Sequence, residues 1–266
     1  MRVAMIQMAI GRDKQENLRH AEQLLEQLDG KGVDLAILPE MFSCGYSNKQ
    51  FRICSEPVGG ETWQRLSRMA QKLGIYLVGG SIPEREDGNI YNTSFLFDRN
   101  GNQIARHRKI HLFDIEIDGG QRFCESATLS PGSDITVVDT DFGKLGLCIC
   151  FDMRFQELAK IMGDRGAQLL VVPAAFNMTT GPAHWELMFR QRAVDNQLFT
   201  IGVAPARNES ASYVSYANSI LVDPWGTVIE RAGIGEELLI ADMDLSRCGE
   251  IRRQLPIRAA RRNDLY

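Results

Sequence analysis

Residues 135–176 read ITVVDTDFGKLGLCICFDMRFQELAKIMGDRGAQLLVVPAAF. The segment 135–152 is a pair of apolar strands joined by a turn. A helical repeat follows over 154–168, and an apolar strand over 169–176. Strand, helix and strand in one run mark an α/β chain. The turn-linked pair ahead of them is something that simple doubly wound alternation does not produce.

Outward from this run the alternation recurs. VAMIQMAI (3–10) is an apolar strand, and residues 14–29 repeat apolar positions every three to four residues before Gly30, a helix with a glycine stop. LAILPE (35–40) is a buried strand ending in a carboxylate. A second glycine-stopped helix spans 61–74, and a strand and turn span 75–84. NTSFLFDRNGNQIARHRKIHLF (92–113) reads as two strands about an Asn-Gly turn. A helix over 185–198 precedes the strand FTIGVAPARN; NSILVDPWGTVIERAG (218–233) repeats the strand-turn-strand form, and LLIADMDL (238–245) closes the pattern. No Ser/Pro-rich linker divides the chain, so residues 1–266 are expected to form one α/β unit of two mixed sheets covered by helices.

The composition excludes several classes. At 44% hydrophobic and 24% charged the chain is an ordinary globular one. Its 30 Lys+Arg against 34 Asp+Glu, net charge -4, leave no basic surplus for a nucleic-acid backbone. The one basic run, RRQLPIRAARR (252–262), reads as a solvated helix face or an interface rim. No apolar run is long enough for a membrane span. MRVAMIQMAI reads as a first strand rather than a signal peptide, and six cysteines in this length do not make a disulfide framework; a cytoplasmic, reducing location is expected.

Cys148 and Cys150 are placed on one strand, so period two puts both thiols on one face. Their spacing is one residue short of a redox CxxC, and none of His20, His107, His111 and His184 stands at a metal-ligand spacing from them. Cys148 lies in an apolar run and reads as core. Cys150 stands where strand gives way to helix; backbone N–H groups there would lower its pKa and could hold an oxyanion. Glu40 ends its strand where α/β sites form, as a base or as a turn-capping group. Lys109, in RHRKIHLF, is a fixed positive charge or a solvated one.

These segments together resemble the nitrilase, or carbon-nitrogen hydrolase, superfamily. Its three signatures stand in order as LAILPEMF, HRKIHLF and GLCICFDMRFQE, and the likeness runs through nearly the whole chain. The resemblance implies a four-layer α-β-β-α sandwich and a Glu-Lys-Cys triad. Carried over, Glu40 is the general base, Lys109 and the Phe151 backbone N–H hold the oxyanion, and Cys150 is the nucleophile. Glu125 stands where members have a second glutamate. Gln156 replaces a proline at the helix start, a small loss of preorganisation.

The stretches 176–197, HLFDI (111–115), 204–216 and DPWG (223–226) resemble the omega-amidase branch, whose members hydrolyse the terminal amide of 2-oxoglutaramate or 2-oxosuccinamate. That implies a small amide substrate bearing a carboxylate, no cofactor or metal, and a homodimer or higher homo-oligomer joined through residues 154–165. Arg154 is the first candidate partner for the carboxylate, with an ion pair to Asp152 or Glu157 as the other reading. Phe176, Thr179, Thr180 and Trp185 are pocket candidates, Trp185 with ordinary packing as its alternative. His184 is expected to order a loop, and MFSCGYSNKQ (41–50) to wall the pocket. A deaminated-glutathione amidase, an N-carbamoyl amino acid amidohydrolase and a catalytically silent binding protein on the same fold are the competing functions.

Overall fold

The computed structural model describes residues 1–119 and 121–265. In chain order the first half holds β1 (Arg2–Gln7), α1 (Lys14–Glu26), β2 (Leu35–Ile37), α2 (Asn48–Cys54), β3 (Glu56–Pro57), α3 (Glu61–Leu73), β4 (Tyr76–Val78), β5 (Ile82–Glu86), β6 (Asn89–Phe97), β7 (Gln103–Arg108), β8 (Asp114–Glu116) and β9 (Arg122–Cys124). The second half holds β10 (Thr136–Thr140), β11 (Gly143–Leu147), α4 (Gln156–Asp164), β12 (Leu169–Pro173), α5 (Gly181–Asn196), β13 (Phe199–Val203), β14 (Ile220–Val222), β15 (Val228–Arg231), β16 (Glu237–Asp242) and α6 (Ser246–Gln254).

The strands form two large mixed sheets. The eight-stranded one has the order β16-β1-β2-β4-β6-β5-β3, with β7 also on β6; the six-stranded one runs β10 to β15 in sequence order. β8 and β9 make a separate hairpin. Period two in the strands explains the layering. Val3 and Met5 of β1 face the second sheet, where Leu145, Leu147, Leu169, Val171, Phe199 and Ile201 meet them. Ala4 and Ile6, on the other side of the strand, pack under α1 and α3. The outer face of the second sheet, with Leu170, Val172, Ile220 and Val222, is covered by α4 and α5 through Leu158, Met162, Trp185, Phe189 and Ala193. This is the four-layer α-β-β-α sandwich, and it resolves the alternation that ordinary doubly wound topology could not accommodate.

Local chemistry places the helix ends. Asp13 caps α1 by accepting from the Glu16 N–H, and Gly74 closes α3 in the left-handed region. On α3 the inward face is Thr62, Leu66, Met69 and Ala70; burying each of its large apolar side chains contributes about 1.5–3 kcal/mol.

Several expected boundaries move. β2 stops at Ile37 rather than at Glu40, and α1 ends at Glu26 rather than running to Gly30; the strand and turn expected over 75–84 are β4 and the Gly79-Gly80 break, with β5 starting inside that range at Ile82. β11 ends at Leu147, so Cys148 and Cys150 do not share a strand face. The helix expected from 154 starts at Gln156, after a 3-10 turn over Cys150–Arg154. α5 runs from Gly181 to Asn196 rather than over 185–198, and so includes His184. α6 follows the strand that was expected to close the pattern. Among the described residues no helix is long and apolar enough to cross a membrane.

Candidate active site

Four chain segments converge between the two sheets. The Leu38 N–H donates to the Val78 carbonyl at 3.0 Å, so the pairing of β2 outlasts the strand by one residue before Pro39 turns it. The turn is tight. Gly80 has φ +46°, a Cβ there would overlap the Pro39 carbonyl, and Met41 takes φ +53°. Between them Glu40 is fully buried. Lys109 follows β7, and its N–H donates to the Asn92 carbonyl at 2.9 Å, carrying the ladder with β6 past the strand end. Glu125 opens a short 3-10 turn after the β8–β9 hairpin. Cys150 opens the 3-10 turn beyond β11 with φ +45°.

A left-handed cysteine is strained, at a cost of order ~1–3 kcal/mol, and persists only where its surroundings over-determine it. They do so here. The Asp152 carboxylate accepts from the Ile149 N–H at 3.1 Å. Arg192 reaches in from α5, donating to the carbonyls of Met153 (3.1 Å) and Arg154 (2.9 Å). Asp152 also binds the lysine segment: it accepts from the N–H groups of Ile110 (3.2 Å) and His111 (2.9 Å), and contacts His107 Nε2 at 3.0 Å and His111 Nδ1 at 2.8 Å. One carboxylate therefore ties the residues on both sides of Lys109 to the turn that carries Cys150.

The charged groups meet in a dry cluster. Lys109 Nζ lies 2.9 Å from Glu40 Oε1 and 2.9 Å from Glu125 Oε2, and all three side chains are fully buried. Glu40 Oε1 also accepts from Asn92 Nδ2 (2.8 Å) and the Tyr46 hydroxyl (3.2 Å); Oε2 accepts from the Ala175 N–H (2.8 Å). Tyr46 shares its hydroxyl with Glu125 Oε1 at 2.6 Å, and the Phe113 N–H donates to Glu125 Oε2 at 2.7 Å. The Cys150 thiol is buried beside this cluster, within electrostatic reach of Glu40 and Lys109.

Burial raises Glu40 above the ordinary glutamate range; the Lys109 ammonium opposes this and the Glu125 charge adds to it. Burial would lower Lys109, but the carboxylates of Glu125 and Glu40 outweigh it and hold the ammonium charged. Burial, with Glu40 beside it, lifts the Cys150 thiol well above its usual value despite Lys109 and the Ala175 N–H. This corrects the expectation that backbone N–H groups lower the thiol pKa: at the strand-to-helix junction desolvation wins, and the need for a base is the greater.

A small cavity opens on Cys150, lined by Phe113, Phe151, Arg154, Ala175, Phe176, Thr180 and Tyr213. Arg154 makes no ion pair with Asp152 or Glu157. Its Nη1 donates to His184 Nδ1 at 3.0 Å, its guanidinium lies over the rings of Phe176 (4.8 Å) and Phe151 (5.5 Å), and its Nε is buried without a hydrogen-bond partner. Burial lowers its pKa. Phe176 and Thr180 line this cavity. Thr179 is exposed. Trp185 has no exposed surface, donates Nε1 to the Asn218 carbonyl at 2.7 Å and packs on Phe176, so it supports the wall rather than forming it.

The stretch 41–50 does wall a pocket. Glu40, Cys44, Tyr46 and Gln50 line a second cavity of about 190 Å³ together with Tyr213 and Ala175. Sequence reasoning did not single out Asn92, Tyr213 or the brackets formed by His107 and His111. Asn92 sits mid-strand with no local mark. Asp152 carried a usable signal, a charge two residues beyond a cysteine in an otherwise apolar run.

A buried thiol, a carboxylate against it and an ammonium beside both define a thiol hydrolase site. Residues 2–253 match the family described as carbon-nitrogen hydrolase, and the chain belongs to that family. It is 49% identical over 265 residues to omega-amidase NIT2 of Xenopus tropicalis and 47% identical to omega-amidase NIT2 of Homo sapiens, covering 100% of this chain and 96% of each relative. Among solved structures, Saccharomyces cerevisiae Nit3, a member of branch 10 of the nitrilase superfamily, superposes with a TM-score of 0.90 at 41% identity, over 98% of this chain and 96% of that one.

Proposed function

We propose that the chain is an omega-amidase, a thiol amidohydrolase that converts the terminal amide of 2-oxoglutaramate or 2-oxosuccinamate to the 2-oxo diacid and ammonia. The full-length likeness to omega-amidases supports the activity. The observation that carries the substrate class is Arg154: a half-buried guanidinium, with Nε unsatisfied, beside the thiol. A buried donor of that kind calls for an acceptor, and a substrate carboxylate is one.

Glu40 takes the Cys150 proton as sulfur attacks the amide carbon. The carbonyl oxygen gains the charge, which Lys109 and the Phe151 N–H stabilise; a donor of that kind is worth about 3–4 kcal/mol of barrier. Glu40 passes its proton to the nitrogen, the C–N bond breaks, and ammonia leaves a thioester. Glu40 then takes a proton from water, whose oxygen attacks the thioester carbon, and the C–S bond breaks to release the acid and restore the thiol. A carboxyl raised by burial suits a group that both accepts and returns protons near neutral pH. Glu125 and Tyr46 hold Lys109 and Glu40 in register.

Residues 1–266 act in this reading as one catalytic unit in the cytoplasm, without a metal or organic cofactor. It self-associates through residues 154–165, where Ile161 is exposed on α4. Light scattering on an Ile161→Glu variant tests the assembly: loss of the oligomer supports that face, and an unchanged mass removes it.

The decisive experiment is turnover of 2-oxoglutaramate, N-carbamoyl-β-alanine and deaminated glutathione by wild type and Cys150→Ala, read as ammonia for the first two and as released cysteinylglycine for the third. The expected result is fastest turnover of 2-oxoglutaramate, with kcat lower by roughly 10⁶ in the variant. Preference for another compound overturns the substrate, and activity that survives in Cys150→Ala overturns the mechanism.

A further inference from the structure

Two residues, Tyr213 and Ala175, line both cavities at the site, and Tyr213, the larger of them, is the side chain that can divide the two. The inner cavity, at Cys150 and Arg154, is about 10 Å³, room for roughly one water. The outer one, at Glu40, Tyr46 and the exposed Arg12, is about 190 Å³. An amide that carries both a ketone and a carboxylate is several times larger than one water. It cannot reach the sulfur while the divider stands where it does.

Tyr213 is held by three contacts. Its hydroxyl donates to the Ala175 carbonyl at 2.5 Å, its ring stacks on Tyr46 with centroids 4.3 Å apart, and it meets the Phe123 ring edge-on at 5.9 Å. The first two touch the catalytic cluster directly. Ala175 donates its N–H to Glu40, and Tyr46 hydrogen-bonds Glu40 and Glu125. Tyr213 itself stands on the loop between β13 and β14, outside any helix or strand. A loop residue closed by one hydrogen bond and two ring contacts, none of them to a strand of the two large sheets, can open without disturbing either sheet.

We propose that Tyr213 is a specificity-determining gate: it closes the nucleophile chamber, swings out to join the two cavities, and thereby sets the size of amide that reaches Cys150. The proposal takes its substrate from the amidase reading, but the gate itself follows from the cavities alone. Opening breaks the bond to the Ala175 carbonyl and the stack on Tyr46, and closing over a bound substrate restores a dry chamber. Arg12, at the outer rim, adds positive charge where an anionic substrate enters.

The test measures alkylation of Cys150 by iodoacetamide and by a bulky N-aryl iodoacetamide, followed by mass spectrometry of the peptide containing Cys150. It compares wild type with Tyr213→Phe and Tyr213→Ala. Tyr213→Phe removes the latch and keeps the ring; both reagents are expected to react about fivefold faster, the factor one net hydrogen bond represents in an opening equilibrium. Tyr213→Ala removes the divider, and the bulky reagent is expected to gain at least about tenfold over the small one, a difference of ~1.4 kcal/mol in barrier. Unchanged labelling in both variants overturns the gate, and equal acceleration of both reagents in Tyr213→Ala overturns size selection. Labelling uses no amide substrate. A wild type that labels as expected but releases no ammonia from 2-oxoglutaramate therefore breaks the amidase reading and leaves the gate supported.

Discussion

Glu40 and Asp152 are both carboxylates with at most 1% of their surface exposed, and both hold the segment around Lys109. Their charges meet opposite treatment. Around Asp152 the neighbours are donors: three backbone N–H groups and the rings of His107 and His111. Burial would raise its pKa, but these contacts overcome the penalty and hold Asp152 far below the usual carboxylate range. Glu40 also has donors, yet it shares its one ammonium with Glu125, and burial leaves it raised. The fold satisfies the carboxylate that joins two segments and leaves uncomfortable the one proposed to move protons. A group whose two protonation states are closely balanced can exchange a proton; one locked in a single state can only hold structure.

The comparison can be broken most directly at Glu40. Glu40→Gln is expected to lower kcat/KM for 2-oxoglutaramate by about 10⁴, since in the proposed mechanism one base serves both halves of the reaction. Its unfolding midpoint in urea should stay within about 1 kcal/mol of wild type, because the raised carboxylate contributes no stability at neutral pH. A large loss of stability would show that Glu40 is structural in the manner of Asp152.

Asp152→Asn should reverse the weights. Removing a buried charge from its partners is expected to cost about 3–5 kcal/mol in urea unfolding. The activity of the folded fraction should fall by about 10² or less, the effect of slightly misplacing Lys109 against Cys150. Asp152 is depressed in the fold, so its stabilisation is complete above the unfolded value of about 3.9 and is lost as pH falls below it. The variant should therefore show a flatter acid limb of stability against pH.

Glu40 is raised, so the base is protonated, and kcat/KM lost, as pH falls through a value above the ordinary glutamate pKa of about 4.3. A pH–rate profile checks this, and an acid limb at or below that value would remove Glu40 as the titrating base. The smallest expected effect belongs to Tyr46→Phe, which takes one donor from the Glu40–Glu125 pair at a cost of about 1 kcal/mol. Loss of a donor to the ionised form should move the acid limb to higher pH.

The alternation of strand and helix, the glycine stop at Gly74 and the three motifs were legible in the chain, because periodicity and turn chemistry are local, whereas α1 ends at Glu26 with Gln27 as its cap and does not run to Gly30. Local reading could place a carboxylate and a cysteine at strand ends, mark a lysine in a basic run, and say what chemistry the three would suit together. It could not say that Glu40, Lys109 and Cys150 meet, since they lie 69 and 41 residues apart and only the packing of two sheets closes the distance. The same limit governs the environment of each group. Whether Cys150 is ionised, whether Arg154 pairs with a neighbouring carboxylate and whether Trp185 lines a pocket all depend on what crosses over from other elements. Desolvation and charge–charge contact are properties of a volume, and a sequence has no volume until the sheets stack.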